Sequence, residues 1–135
     1  MQKTSTKNKY ISLSDLEIYK LARQLSELGW QFYNLLDWQK KKIIGDQFIE
    51  ATDSVGANIA EGYGRFHYLD RIKFFYNSRA SLQECSNHWL ELLKERNMIT
   101  LQNYEQFKKI SAVLSIKLNN FININYKLRN DKNIS

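Results

Sequence analysis

Ser54-Val55-Gly56-Ala57-Asn58-Ile59-Ala60-Glu61-Gly62-Tyr63-Gly64-Arg65 decides how the rest of the chain is read. It holds three of the five glycines, yet Val55 and Ile59 continue a spacing begun at Ile44 and Phe48, the apolar stripe of an α-helix. Beside it, rotated by about 100°, Gln47, Ala51, Ser54, Asn58, Glu61 and Arg65 form a second stripe that is small or polar throughout. Asp46, Glu50 and Asp53 already offer a solvent face, so this second stripe is expected to pack, its polar groups paired, against a helix of the same chain or of a neighbouring subunit. Mid-helix Gly56 and Ala57 would allow close approach. Gly62 or Gly64 would take the left-handed conformation that ends the helix.

Working outward, this helix should span 43–63, preceded by another over 14–38. Ser14-Asp15-Leu16-Glu17 reads as a capping box, and Leu21, Leu25, Leu28, Phe32 and Leu35 follow at helical spacing. Gly29 within that helix marks a close helix–helix approach. The connection, Gln39-Lys40-Lys41-Lys42, reads either as a solvated turn facing a helix dipole or as a set of phosphate contacts. A third helix is expected over 68–96, with Ile72, Phe75, Leu82, Trp89 and Leu93 on one stripe and Phe74, Ser78, Ser81, Cys85 and His88 on a smaller one. The two small-polar stripes are expected to meet, bringing Asn58 and Glu61 near Ser81 and Glu84. Arg65, Arg71 or Arg79 would compensate the carboxylates, since an unpaired buried charge is costly. Thr100 is a candidate N-cap for a fourth helix over 101–128, whose stripe from Phe107 to Phe121 is broadened by Val113, Ile116 and Ile124 beyond what one neighbour needs. Residues 1–13 read as a flexible basic lead and 129–135 as a frayed tail.

A chain of 135 residues with 43% hydrophobic and 25% charged residues suits one soluble domain. No run approaches the ~18 apolar residues of a membrane span, and the Lys/Ser/Thr/Asn-rich start lacks a signal-peptide h-region, so a cytoplasmic location without membrane contact is expected. The absence of proline favours long helices. The net charge of +6 is distributed as +3 over residues 1–13, +2 over 127–135 and only +1 over 14–126. Such a body is no obvious polyanion sleeve as a monomer.

Cys85 is the only cysteine, which rules out an intrachain disulfide; it reads as a small buried hydrophobe. A di-iron bundle site would need Glu-x-x-His motifs, and the chain has none, only Glu84 and His88 four residues apart. Gly62-Tyr63-Gly64 follows a helix, which is the wrong context for a phosphate loop. No metal, cofactor or catalytic residue is expected.

The Ser54–Arg65 stretch, with Gln47 before it and Phe74, Phe75 and Ser81-Leu82-Gln83-Glu84 after it, resembles the signature of proteins first noticed in intervening sequences of bacterial 23S ribosomal RNA genes. The similarity covers the layout from Ser14 to Tyr126. It departs from the family at Glu50 and Asp53, where basic residues are common, and in lacking a proline between the first two helices. The resemblance implies an antiparallel up-down four-helix bundle assembling as a cyclic homopentamer. It makes Gln47, Ser54, Asn58, Glu61, Gly62, Gly64, Ser81 and Glu84 packing residues. Relatives include the accessory protein of diversity-generating retroelements, which implies RNA or DNA and a reverse transcriptase as partners. Lys40, Lys41, Lys42, Arg65, Arg71 and Lys73 are the candidate phosphate contacts, and Trp38 with Tyr33 would line a mouth at the bundle end. The alternative is a protein-interaction scaffold with no nucleic-acid role.

Overall fold

The computed structural model describes residues 10–134, which form helices and turns with no strand among them. Most of the expected basic lead therefore lies outside the described residues. Its last part is docked, with Tyr63 donating its hydroxyl to the Ile11 carbonyl and Tyr10 lying 6.2 Å from the Tyr63 ring.

Helix α1 spans Glu17–Leu35. The Ser14 capping box does not form. A 3-10 turn at Leu13–Asp15 comes first, and the Ser14 hydroxyl lies 3.2 Å from that of Ser12, which also donates to Asp15 at 3.0 Å. Leu16, buried and extended, then sets the helix start from the N-cap position without a side-chain acceptor. At the far end the helix stops at Leu35, because Leu36 is extended and buried and turns the chain. Asp37 accepts the Lys40 N–H at 2.9 Å and caps the next helix. The link is thus Leu36-Asp37, and Trp38 and the three lysines, expected at the end of the first helix and in the turn, belong to the second helix instead.

Helix α2 runs as Trp38–Lys40, a π-turn at Lys41–Gly45, and Asp46–Tyr63. Helix α3 follows the same plan: Tyr68–Glu84, a π-turn at Cys85–Trp89, and Leu90–Glu95. Each π-turn adds a residue to the helical repeat and rotates the following face. Leu90 and Leu93 are consequently buried, whereas Trp89 is only half-buried. The left-handed residue among those described is Asn97 (φ 57°), not a glycine. Met98 N–H to Leu93 C=O (2.8 Å) and Asn97 N–H to Lys94 C=O (3.0 Å) complete a Schellman close to α3. Gly62 is helical, and Gly64 caps α2 at φ −80°, so neither takes the expected left-handed conformation. Helix α4 spans Leu101–Ile134, with Thr100 Oγ1 accepting the Asn103 N–H as expected. It passes the anticipated end at Leu128, so residues 129–134 are helix, not a frayed tail.

The four helices form an antiparallel bundle in which α2 packs on α1 and α3, and α4 closes on α1 and α3. Phe32, Phe48 and Phe107 cluster at one level of the core, and Phe75 meets Phe121 edge-on at another. Glycines set the closest approaches. A Cβ at Gly29 would lie 3.1 Å from Thr52 Cγ2, the close approach that its position predicts. At Gly62 it would lie 2.8 Å from Phe75 Cε1 and 2.9 Å from Phe74 Cβ.

The small-polar stripe behaves differently from expectation. Ser54 donates to the Glu50 carbonyl and Asn58 to the Ser54 carbonyl within α2, and Glu61 pairs at 2.8 Å with Arg65, just beyond the end of that helix. The α2–α3 contact is made instead by Ser78, which donates to the Val55 carbonyl at 2.7 Å, and by Gly62 under the phenylalanines. In antiparallel helices this register carries Ser81 and Glu84 towards the start of α2, away from Asn58 and Glu61.

Candidate nucleic-acid interface

The start of α2 carries rings and cations together. Trp38 is 73% exposed. Lys42 Nζ lies 4.9 Å from its ring, and Lys41 Nζ lies 5.0 Å from that of Tyr33, which stacks on Trp30 at 5.4 Å. Lys40 is 3.8 Å from Asp37, an exposed pair of little energetic weight. Tyr33 is pinned by a 2.6 Å hydrogen bond to Asp46, which raises its pKa, with burial adding to the effect. Of the two rings expected to line a mouth, each lies under a lysine ammonium, and Tyr33 also stacks on Trp30. Three lysines in the opening turns of α2 oppose that helix's own dipole, which concentrates positive potential there.

Arg65, Arg71 and Lys73 lie elsewhere. From Lys41 to Tyr63, where α2 ends two residues before Arg65, is about 33 Å at helical rise, so the six candidate cations form two groups at opposite ends. Arg71 donates Nε to the Arg65 carbonyl (2.9 Å) and Nη2 to the Tyr63 carbonyl (3.2 Å), holding the last carbonyl of α2 and one in the turn beyond it. It is a capping residue. Arg65 pairs with Glu61 while lying 4.8 Å from the Phe74 ring, and Lys73 is exposed on α3.

This second end also contains residues that the sequence reading passed over. Phe66 is 82% exposed, Lys132 Nζ lies 5.7 Å from its ring, and His67 meets it edge-on at 5.0 Å. Together with Tyr68, Leu69 and Arg129 they line a cavity of about 530 Å³. The signals were the run Phe66-His67-Tyr68 in the turn and a helical period continuing from Asn125 to Arg129 and Lys132. A larger open groove of about 840 Å³ runs between α1 and α2, floored by Gly56, Ala57 and Ala60 and flanked by Tyr19, Arg23 and Trp30. The motif's small residues therefore face α1, and a Cβ at Gly56 would meet Ala22 at an ordinary 3.5 Å.

No group of three or more His, Cys, Asp or Glu side chains able to hold a metal occurs among the described residues. Glu84 and His88 both engage Trp89: the carboxylate accepts the indole N–H at 2.8 Å, and the imidazole lies edge-on at 4.5 Å. Burial pushes the Cys85 thiol up to about 12, so it is protonated and inert at neutral pH. No described helix is long and apolar enough to cross a membrane.

The fold is that of an all-α four-helix protein with rings and cations exposed at both ends of α2. The chain belongs to the 23S rRNA-intervening sequence protein family, whose model matches residues 14–120. It is similar in fold to the crystal structure of a protein of unknown function from the S23 ribosomal protein family of Bacteroides thetaiotaomicron. That similarity has a TM-score of 0.72 and 24% identity, covering 78% of this chain and 97% of the other. Comparison with curated proteins finds no match.

Proposed function

We propose that this chain is a non-enzymatic, oligomeric nucleic-acid-binding accessory protein of the cytoplasm, whose α2 start contacts RNA or DNA. The observation that carries this is the pairing of Lys41 and Lys42 with the Tyr33 and Trp38 rings at one exposed bundle end. Cations hold phosphates while rings accept bases, the combination that single-strand binders use. The family's description, which refers to a ribosomal RNA gene insertion, supports RNA as the first ligand to test. A reverse transcriptase with its template RNA is the partner that the resemblance suggests.

Assembly strengthens the reading. Val113, Ile116, Ile124 and Leu128 leave exposed apolar surface along α4. A cyclic homopentamer that covers part of it would turn the lysine run into a ring and multiply the single-chain charge of +6. Binding of a labelled RNA should weaken steeply with salt. Replacing Lys40, Lys41 and Lys42 by Ala should reduce the slope of log K against log salt by about 2 for a single strand. Absence of RNA or DNA retention at low salt, or a strictly monomeric mass by light scattering, would count against it. The groove between α1 and α2 favours one competing reading, a scaffold that docks a protein there. In that case the lysine variant would bind its partner normally.

A further inference from the structure

We infer that the opposite end of the bundle holds a second site, in which the Phe66 ring stacks on one unpaired base of a single-stranded nucleic acid while Lys132 and Arg129 take the adjoining phosphate. This rests on the nucleic-acid reading above and adds to it a position, a strand type and residues outside the lysine run. Phe66 makes no contribution to the core: it is 82% exposed at a turn where nothing in the packing calls for a large ring. A ring so placed is poorly accounted for by folding and well suited to stacking, which is sequence-tolerant because every base presents a π-face. Around it the cavity of about 530 Å³ lies within the size range of small-ligand pockets. Its lining combines three ring side chains with two cations, the complement of a base joined to a phosphate. Asp70, Asp131 and Glu61, which pairs with Arg65, lie at this end, but with Arg65, Arg71 and Lys127 beside Arg129 and Lys132 the cations still outnumber the carboxylates. Only an unpaired base can reach Phe66, because bases within a duplex are stacked on their neighbours.

The test is fluorescence anisotropy with labelled twelve-nucleotide oligo-U RNA, oligo-dT DNA of the same length and a twelve-base-pair duplex. The protein would be the full chain, its Phe66→Ala and Phe66→Trp variants, and an Arg129→Ala/Lys132→Ala double variant. Phe66→Ala should weaken both single strands about five- to twenty-fold and leave the duplex within about two-fold. Phe66→Trp should restore single-strand binding. The double variant should lower the single-strand salt slope by about 1.4. Circular dichroism should show unchanged helix content in each. If the wild type binds single strands but Phe66→Ala binds them equally well, or loses duplex binding to the same extent, this site is wrong while the lysine end stands. If the wild type binds no nucleic acid at all, the broader reading fails and takes this site with it.

Discussion

Two glycines in one helix should respond to alanine in opposite directions. At Gly62 a methyl group would sit 2.8 Å from Phe75 Cε1, 2.9 Å from Phe74 Cβ and 3.0 Å from the Arg71 carbonyl oxygen. Two of the three neighbours are backbone or Cβ atoms and cannot swing aside, so α3 itself must shift. Overpacking of this kind costs about 1–3 kcal/mol. The helical gain of Ala over Gly, up to about 1 kcal/mol in a helix interior, is smaller here at the last turn of α2. The net expectation is a loss of about 1–2 kcal/mol. At Gly56 the same methyl would meet Ala22 Cβ at 3.5 Å and Tyr19 Cε1 at 3.9 Å, ordinary contact distances in mid-helix. The propensity gain survives there, and Gly56→Ala should stabilise by about 0.5–1 kcal/mol. For a chain of 135 residues, 1 kcal/mol corresponds to about 3–4 °C in Tm. Thermal melts at one fixed protein concentration, since any assembly would make Tm concentration-dependent, should therefore show Gly62→Ala lower by about 3–8 °C and Gly56→Ala higher by about 2–4 °C. A Gly62→Ala variant as stable as wild type, or less affected than Gly56→Ala, would refute the assignment of Gly62 as the limit on α2–α3 approach.

Other perturbations have equally definite signs. Asn125 is 1% exposed; its Nδ2 donates to the Phe121 carbonyl, and its Oδ1 has no hydrogen-bond partner among the described residues. Asn125→Leu should remove that unsatisfied acceptor and raise stability by about 1 kcal/mol; a lower Tm would show the amide to be engaged in solution. Tyr104 donates to Glu91 at 2.5 Å, which pushes its phenol up to about 12 from an ordinary 10.0, and the same bond, followed by that from Lys108, holds Glu91 below its usual range. The fold favours the neutral phenol, so this contribution is complete below pH 10 and disappears as pH rises from about 10 to about 12. The Glu91 contribution is present above the ordinary carboxylate value of 4.5 and is lost as pH falls below it. Tyr104→Phe should therefore show a shallower fall of Tm with pH in the alkaline range, with some slope left by the raised Tyr33 and Tyr63. Parallel curves for the two proteins would remove the Tyr104–Glu91 bond from the account of stability.

What could be read without coordinates was whatever depends on local repetition. Ile44, Phe48, Val55 and Ile59 keep one helical face and are all fully buried, and Thr100 caps α4 as its position suggested. Four helices, their order, the family and the tight spot at Gly29 followed from periodicity and motif, because a helix repeats its own geometry every few residues. Local pattern fails where two local solutions compete. Trp38 continues the rhythm of α1, yet Asp37 can cap a new helix once Leu36 is drawn into the core. The π-turns at Lys41–Gly45 and Cys85–Trp89 leave no mark in the apolar period until neighbouring helices fix which residues are buried.

The pairing of polar groups was likewise out of reach. Asn58 finds its partner within its own helix and Glu61 just beyond that helix's end, because the antiparallel register, set by Gly62 beneath Phe74 and Phe75, brings Ser78 rather than Ser81 to Val55. The candidate site divided in the same way. The residue types were present in the sequence: lysines beside tryptophan, which were read, and an aromatic run in a turn, which was passed over. Their grouping was not, because charge adds up in space and not along the chain. Helix α2 places Lys41 and the helix end before Arg65 about 33 Å apart, while the turn after α2 and the last turns of α4 bring Phe66 and Lys132, 66 positions apart in sequence, to within 5.7 Å. The sequence by itself determined that the chain makes four helices and which of their faces are apolar; the tertiary structure alone decided where those helices begin and end and which cations and rings share a surface.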